Sequence, residues 1–226
     1  MAHGVPARCQ GRAVPGARFT DVRWFAEVDS TNRVVADLAR AGAPDGLVVA
    51  AGHQTAGRGR RGRAWESRPG TALLVSVLLR PAPALVTLAA GVAAAGACAA
   101  VGVATRLKWP NDVLVGEAKA GGILCELVGG AAVVGLGLNL GWAPPGAACL
   151  GADVDRDALL GAFLAALDDP GDVLARYRPL CATLGRWVRV QLVGGAVEGV
   201  AEAVDADGRL VVDGRRIDSG DVVHLR

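Results

Sequence analysis

The sequence predicts an α+β protein: a mixed β-sheet flanked by helices, followed by a small C-terminal β-barrel. Three observations predict it. Up to about residue 183, apolar runs of strand length alternate with segments of helical periodicity. From residue 184 the pattern changes to short alternating strands, WVRVQLVGG, AVEGVAEAVDADGRLVVDG and RRIDSGDVVHLR, joined by Gly and Asp turns. And 226 residues with 52% hydrophobic content are enough to bury one full core with a small appendage. The domain organisation expected is a flexible lead-in over residues 1–20, a main domain over 21–183 and a small barrel over 184–226.

The elements follow in order. The lead-in carries Pro6, Pro15 and several glycines, and no helix-turn-helix precedes the first strand signal at residues 23–28. Ser30 or Thr31 then caps a helix whose Val34, Val35, Leu38 and Ala39 recur at helical spacing, and Gly42 with Pro44 ends it. Residues 47–51 form a short apolar run and residues 71–79 a longer one, both suited to buried strands. Between them lies HQTAGRGRRGRAWESRPG, too long and too charged for a hairpin turn, and long ordered loops are usually functional.

Residues 81–105 carry no charge and are long enough to span a bilayer. Their composition argues otherwise: Ala and Gly dominate, there are only two leucines and no aromatic belt, so a small-residue helix packed on a sheet is expected. Residues 106–108, 112–115 and 122–128 read as paired strands around a Pro-Asn-Asp turn and a Gly-Glu turn, and residues 132–140 as another strand. Helices are expected over residues 155–167 and 172–183, with Pro170 and Pro179 blurring their ends.

Charge narrows the function. With 24 basic against 22 acidic residues, the chain is neither a disordered tail nor a strongly basic polyanion binder. The five cysteines are odd in number and show no C-x-x-C or Cys/His metal spacing, and no secretory signal is visible, so reduced thiols and a cytoplasmic location are expected. Lys108 and Lys119 are the only lysines and every other basic residue is arginine. A lysine here marks a place for a compact, mobile ammonium rather than a planar fork.

Chemistry concentrates in three segments. Residues 57–63, GRGRRGR, place Arg58, Arg60, Arg61 and Arg63 among glycines that let backbone approach a ligand. Such a loop suits a phosphate-bearing ligand through forked donors and a backbone anion nest. Taken alone it suits an Arg-Gly nucleic-acid contact equally well. The second segment is Lys108-Trp109-Pro110-Asn111-Asp112, and the third begins at Lys119, so both lysines flank one expected hairpin and can converge on a single anion. A turn cap is the ordinary use of an aspartate such as Asp112. No serine sits in a nucleophile-elbow pattern and the three histidines are far apart, so hydrolase triads have little support. A carboxylate attacking the α-phosphate of ATP needs cations and Mg²⁺ more than a nucleophilic side chain, and the sequence supplies the cations.

Together STN at 30–32, GHQTAGRGRRGRAW at 52–65, KWPNDVLV at 108–115, KAGGIL at 119–124 and GLGLN at 135–139 resemble the biotin protein ligases, in order and spacing, over residues 23–140. The resemblance implies a biotin–lipoyl ligase fold, similar to the class II aminoacyl-tRNA synthetases, with a Src-homology-3-like barrel as the tail. It implies that biotin and MgATP give biotinyl-AMP and pyrophosphate, and that a lysine of a biotin carboxyl carrier domain takes the biotinyl group.

Carried over position by position, the biotin contacts would be Ser30, Thr31, Asn32, Gln54, Gly57, Arg58, Gly59, Trp65, Lys119, Gly121, Gly122, Gly135 and Gly137. The nucleotide would meet Arg58, Arg60, Arg61, Arg63, Lys108, Asn111, Asp112, Lys119, Asn139 and Arg226. Lys119, Arg60 and Asp112 would be the catalytic residues. Mg²⁺ is expected mainly on the ATP phosphates, with Asp112 the candidate protein ligand. Neither DNA nor a membrane is expected as partner, and the chain is expected to be a monomer or weak homodimer. Three departures from the family pattern stand out: about twenty residues precede the main domain where bifunctional members begin with a DNA-binding winged helix, so a monofunctional enzyme without repressor activity is expected; Ala148-Cys149-Leu150 stands where a Thr-Ser-Leu is common; and Ala120-Gly121 where leucine and alanine are usual.

Overall fold

The computed structural model describes residues 9–10 and 18–225. Most of the lead-in expected over residues 1–20, and Arg226, lie outside the described residues. Strands β1 (Cys9–Gln10), β2 (Val22–Phe25), β3 (Val48–Ala51), β4 (Ala72–Leu79), β5 (Arg106–Lys108), β6 (Asp112–Val115), β7 (Ala118–Val128) and β8 (Ala131–Asn139) form one sheet in the order β1-β2-β3-β4-β8-β7-β6-β5. β2 and β3 run parallel across helix α1 (Thr31–Arg40), and the other pairs are antiparallel.

The two faces of the sheet are covered differently. α1 turns Val35, Ala36 and Ala39 onto Phe25, Leu47, Val49, Ala51 and Leu78. On the opposite face lie α2 (Val86–Ala100), α3 (Arg156–Asp168) and α4 (Val173–Leu180), packed over Leu73, Val75, Val77, Val134 and Leu138. Cover on both sides explains why β4 and β8 are buried at every position and read as unbroken apolar runs. The uncharged segment became the small-residue helix α2: among the described residues no helix is long and apolar enough to cross a membrane. Gly91 of α2 faces Leu107 and Ile123 of the sheet. Ser30 is the N-cap of α1 by backbone geometry, but its side chain makes no cap bond, which leaves the hydroxyl for another use.

The C-terminal segment corrects one expectation. β9 (Trp187–Leu192), β10 (Gly195–Val204), β11 (Leu210–Val212), β12 (Arg215–Ile217) and β13 (Asp221–His224) form a five-stranded sheet in the order β12-β11-β10-β9-β13, and it does not close into a barrel. Closure would need a ladder between β12 and β13, and among the described residues these strands, at three and four residues, pair with β11 and β9. The apolar face that a barrel would turn on itself is satisfied otherwise: Val188, Val190, Ala201, Val204, Leu210 and Val222 join the same core as α2 and the large sheet. Trp109 Nε1 donates to the Gly208 carbonyl at 3.0 Å, and Arg178 of α4 donates to the Val204 carbonyl at 2.9 and 3.1 Å.

The two sheets meet at a polar joint. Arg186 pairs with Glu117 through two bonds of 2.7 Å and approaches His224 Nδ1 at 3.4 Å, while His224 Nε2 lies 3.2 Å from Thr183 Oγ1. Arginine can only donate, so Nδ1 accepts and the imidazole is neutral with its proton on Nε2. Burial, then Lys108 and Arg186, push the His224 pKa down to about 4. An unfolded histidine titrates near 6.5, so the unfolded chain binds the extra proton first, and stability falls as pH drops from about 6.5 to about 4. His224→Gln should flatten the thermal-melting profile across that interval; melting curves whose pH slope is unchanged by the substitution would contradict this account of the joint.

Candidate active site

On the α1 face, β7 and β8 form a floor without side chains. Gly122 and Gly137 are cross-strand partners, and the indole of Trp65 lies directly on them. A Cβ at Gly137 would come within 2.7 Å of the Trp65 ring, one at Gly122 within 3.4 Å, and one at Gly135 would overlap Asn32 Oδ1. At Gly135 and Gly137 close approach, rather than backbone conformation, is what requires glycine. The pocket above this floor encloses about 110 Å³, with Leu74 and Leu136 among its apolar walls.

Its polar wall is one continuous hydrogen-bonded chain. Thr31 donates to Gln54 Oε1 from its backbone N (2.8 Å), and Thr31 Oγ1 lies 2.9 Å from the same oxygen. The buried Ser76 hydroxyl lies 2.7 Å from Thr31 Oγ1 and 2.6 Å from Asn32 Oδ1. Asn32 Nδ2 donates to the Leu124 carbonyl and to Glu126 Oε2, and Glu126 Oε1 pairs with Arg58 at 3.2 Å. α1, β3's following loop, β4 and β7 are thereby fixed relative to one another around the cavity.

The cationic side depends on a bulge. Along β7, Gly121 and Ile123 point into the helix-covered core, and strict alternation would send Lys119 the same way. The register with β6 shifts between Val113 and Leu114, which leaves Ala120 as the extra residue. Ala120 takes the core position, and Lys119 turns into the pocket beside Gly122. There Lys119 Nζ pairs with Asp112 Oδ1 at 2.6 Å and stands 6.0 Å from the centre of the Trp65 ring. The small residues at 120 and 121 thus fit the bulge: Ala120 is fully buried, and a Cβ at Gly121 would overlap Leu138.

The arginine loop folds back as a narrow hairpin. Trp65 N donates to the Gly57 carbonyl and Gly59 N to the Arg63 carbonyl, with a short 3₁₀ turn at Arg60–Gly62 where Arg61 (φ 56°) and Gly62 (φ 74°) are left-handed. Arg60 Nη1 donates to Asn111 Oδ1 at 2.9 Å and to the Gly220 carbonyl at 3.3 Å, and Arg61 and Arg63 reach Asp221. Burial lowers the pKa of Arg60 and of Lys108, because each gives up hydration.

The pocket therefore gathers most of the residues expected from the sequence: Ser30, Thr31, Asn32, Gln54, Arg58, Gly59, Arg60, Arg63, Trp65, Asn111, Lys119, Gly122, Gly135 and Gly137 all line it. Others support it without lining it. Gly57 backs against Trp65 and Gln54, Gly121 faces Leu138, Asp112 holds Lys119, Arg61 turns to Asp221, and Lys108 stands near Asp112 and Lys119. Asn139 is buried and its Nδ2 is spent on the Ala148 carbonyl, so it secures the Ala148-Cys149-Leu150 segment, whose backbone also bonds Lys119 and Asn139.

Sequence reasoning missed Ser76, Glu126 and Asp221. The first two carried a signal, a hydroxyl inside the apolar run ALLVSVLL and a carboxylate inside β7; Asp221 sits in an ordinary-looking turn. Six cationic groups (Arg58, Arg60, Arg61, Arg63, Lys108, Lys119) face three carboxylates (Asp112, Glu126, Asp221), an excess that suits a polyanion. Among the described residues no group of three or more His, Cys, Asp or Glu side chains could hold a metal ion.

Comparison with known proteins gives consistent results. Residues 24–142 match the Biotin/lipoate A/B protein ligase family and residues 183–225 the biotin protein ligase C-terminal domain. The biotin–[acetyl-CoA-carboxylase] ligase of Mycobacterium tuberculosis is 40% identical over 93% of this chain and 91% of its own length. The bifunctional ligase/repressor BirA of Bacillus spizizenii is 39% identical over 50% of this chain and 38% of its own. Among solved structures, a biotin protein ligase from Aquifex aeolicus in complex with biotin and ATP superposes with a TM-score of 0.79 at 27% identity, covering 92% of this chain and all of that one.

Two substitutions test the wall and floor. Ser76→Ala leaves Asn32 Oδ1 buried without its donor and should cost about 1–3 kcal/mol; Gly135→Ala collides with the same oxygen and should cost about 1–3 kcal/mol. Urea denaturation with unchanged m-values would measure both, and losses below about 0.3 kcal/mol would contradict the network.

Proposed function

Because the chain belongs to the biotin/lipoate A/B protein ligase family and carries a biotin protein ligase C-terminal domain, we propose that this pocket activates biotin with ATP and passes the biotinyl group to a lysine of a carrier protein. In the first step a biotin carboxylate oxygen attacks the α-phosphorus of ATP, the bond to the β-phosphate breaks and pyrophosphate leaves. In the second, the carrier lysine amine attacks the acyl carbon, the carbon–oxygen bond to AMP breaks, and the amine gives up a proton. The observation that carries the reading is the bulge: it puts Lys119 in the cavity between a glycine floor and the arginine loop.

Ser30, Thr31, Gln54 and Asn32 supply donors and acceptors for a polar ring system. Lys119 meets the carboxylate where it joins the α-phosphate. Arg58, Arg60 and Arg63 bring forked donors to the phosphate oxygens as charge accumulates in the transition state. Asp112 keeps Lys119 aimed by its ion pair. Asp112 would be the protein carboxylate for an Mg²⁺ ion brought with ATP, whose charge would offset that of the phosphates. The carrier is the biotin carboxyl carrier domain of a biotin-dependent carboxylase.

The purified chain should exchange labelled pyrophosphate into ATP only when biotin is present, and lipoate in excess should not replace it. No exchange by folded protein would defeat the reading; lipoate-driven exchange would move it to the lipoate branch. Lys119→Ala should lower exchange by about 10²- to 10³-fold, the scale of losing one transition-state contact, with melting temperature nearly unchanged because Lys119 is 39% exposed. Near-normal turnover would remove its role. Arg60→Gly should release biotinyl-AMP and label bystander lysines; retention of the intermediate would contradict the place assigned to Arg60.

A further inference from the structure

The arginine loop is fastened to both sheets, and Arg60 also donates to Asn111 between β5 and β6. At its base Arg58 pairs with Glu126 of β7. At its tip the turn between β12 and β13 receives it: Arg63 Nη2 donates to Asp221 Oδ1 at 2.7 Å, Arg61 Nη1 to Asp221 Oδ2 at 3.4 Å and Arg60 Nη1 to the Gly220 carbonyl at 3.3 Å. Three guanidinium groups from one short loop thus end on two adjacent residues 158 to 160 positions away in sequence. These groups repel one another, and the backbone bonds of residues 57–65 are internal to the hairpin, so side chains are what tie its tip to the rest of the protein. Asp221 is a firm anchor, since it starts β13, is paired to Gln191 of β9 and precedes the buried Val222.

We propose that Asp221 is a positioning residue: by pairing with Arg61 and Arg63 it holds the arginine loop closed over the pocket, sets Arg60 at the rim, and so retains the acyl-adenylate until the carrier arrives. The inference rests on the ligase reading above. It gives the small sheet a task in the reaction that needs no contact with substrate. The open form of that sheet suits the task, because β13 is an edge strand and its first residue is free to face the large sheet.

The test uses the full chain, labelled biotin and ATP, with no carrier present. Asp221→Asn should speed escape of biotinyl-AMP about two- to fivefold, the scale of losing a partly exposed ion-pair cluster, and raise the KM for ATP in exchange more than it lowers kcat. Asp221→Glu should restore most of the retention, and added salt should accelerate escape from the unaltered protein but hardly from Asp221→Asn. Arg63→Gln should reproduce the leak and add little to it in the double variant, which keeps the inference testable if Asp221→Asn folds poorly. An unchanged escape rate in a variant that still performs exchange, or a leak that Asp221→Glu does not reduce, would overturn the positioning role. Absence of biotin-dependent exchange in the unaltered protein would instead overturn the ligase reading beneath it.

Discussion

Six positive side chains are crowded around one small pocket, and the rest of the structure is arranged to make that tolerable. Like charges at such spacing raise the free energy of the folded state unless opposite charges stand among them. Three carboxylates do so, each from a different place: Asp112 beside Lys119, Glu126 beside Arg58, and Asp221 beside Arg61 and Arg63. The compensation is incomplete by design of the chemistry, because a site neutralised by its own side chains would have nothing left for a triphosphate.

Geometry decides how this charge is used. The mixed sheet offers one face to three helices and the other to α1 and the cavity, so side-chain parity along each strand determines what reaches the ligand. At β7 that parity would bury Lys119, and a single extra residue, Ala120, reverses it. The glycines of β7 and β8 act in the opposite sense, keeping side chains off the floor where the Trp65 ring lies. The polar chain from Gln54 through Thr31, Ser76 and Asn32 to Glu126 and Arg58 then joins floor, wall and loop into one unit.

Much of this was legible in the residues. The strands and helices of the main sheet follow from apolar runs, periodicity and caps, and the scarcity of lysine pointed to positions 108 and 119, of which 119 enters the pocket. What could not be read were relations between distant segments. Whether the tail strands close into a barrel depends on ladder partners, which alternation alone does not name, and the tail in fact spreads as an open sheet over the shared core. The bulge is invisible in KAGGIL because register is a property of two strands. Asp221 looks like any turn aspartate until the arginine loop is brought against it.

The proposed chemistry is defined by which atoms change partners. Biotin carrying ¹⁸O in both carboxylate oxygens, turned over with ATP and a carrier domain, separates the possibilities by mass spectrometry of the products. Attack of the carboxylate on the α-phosphorus predicts AMP with one ¹⁸O atom and unlabelled pyrophosphate. Unlabelled AMP, or label in phosphate or pyrophosphate, would contradict the proposed chemistry at its first step.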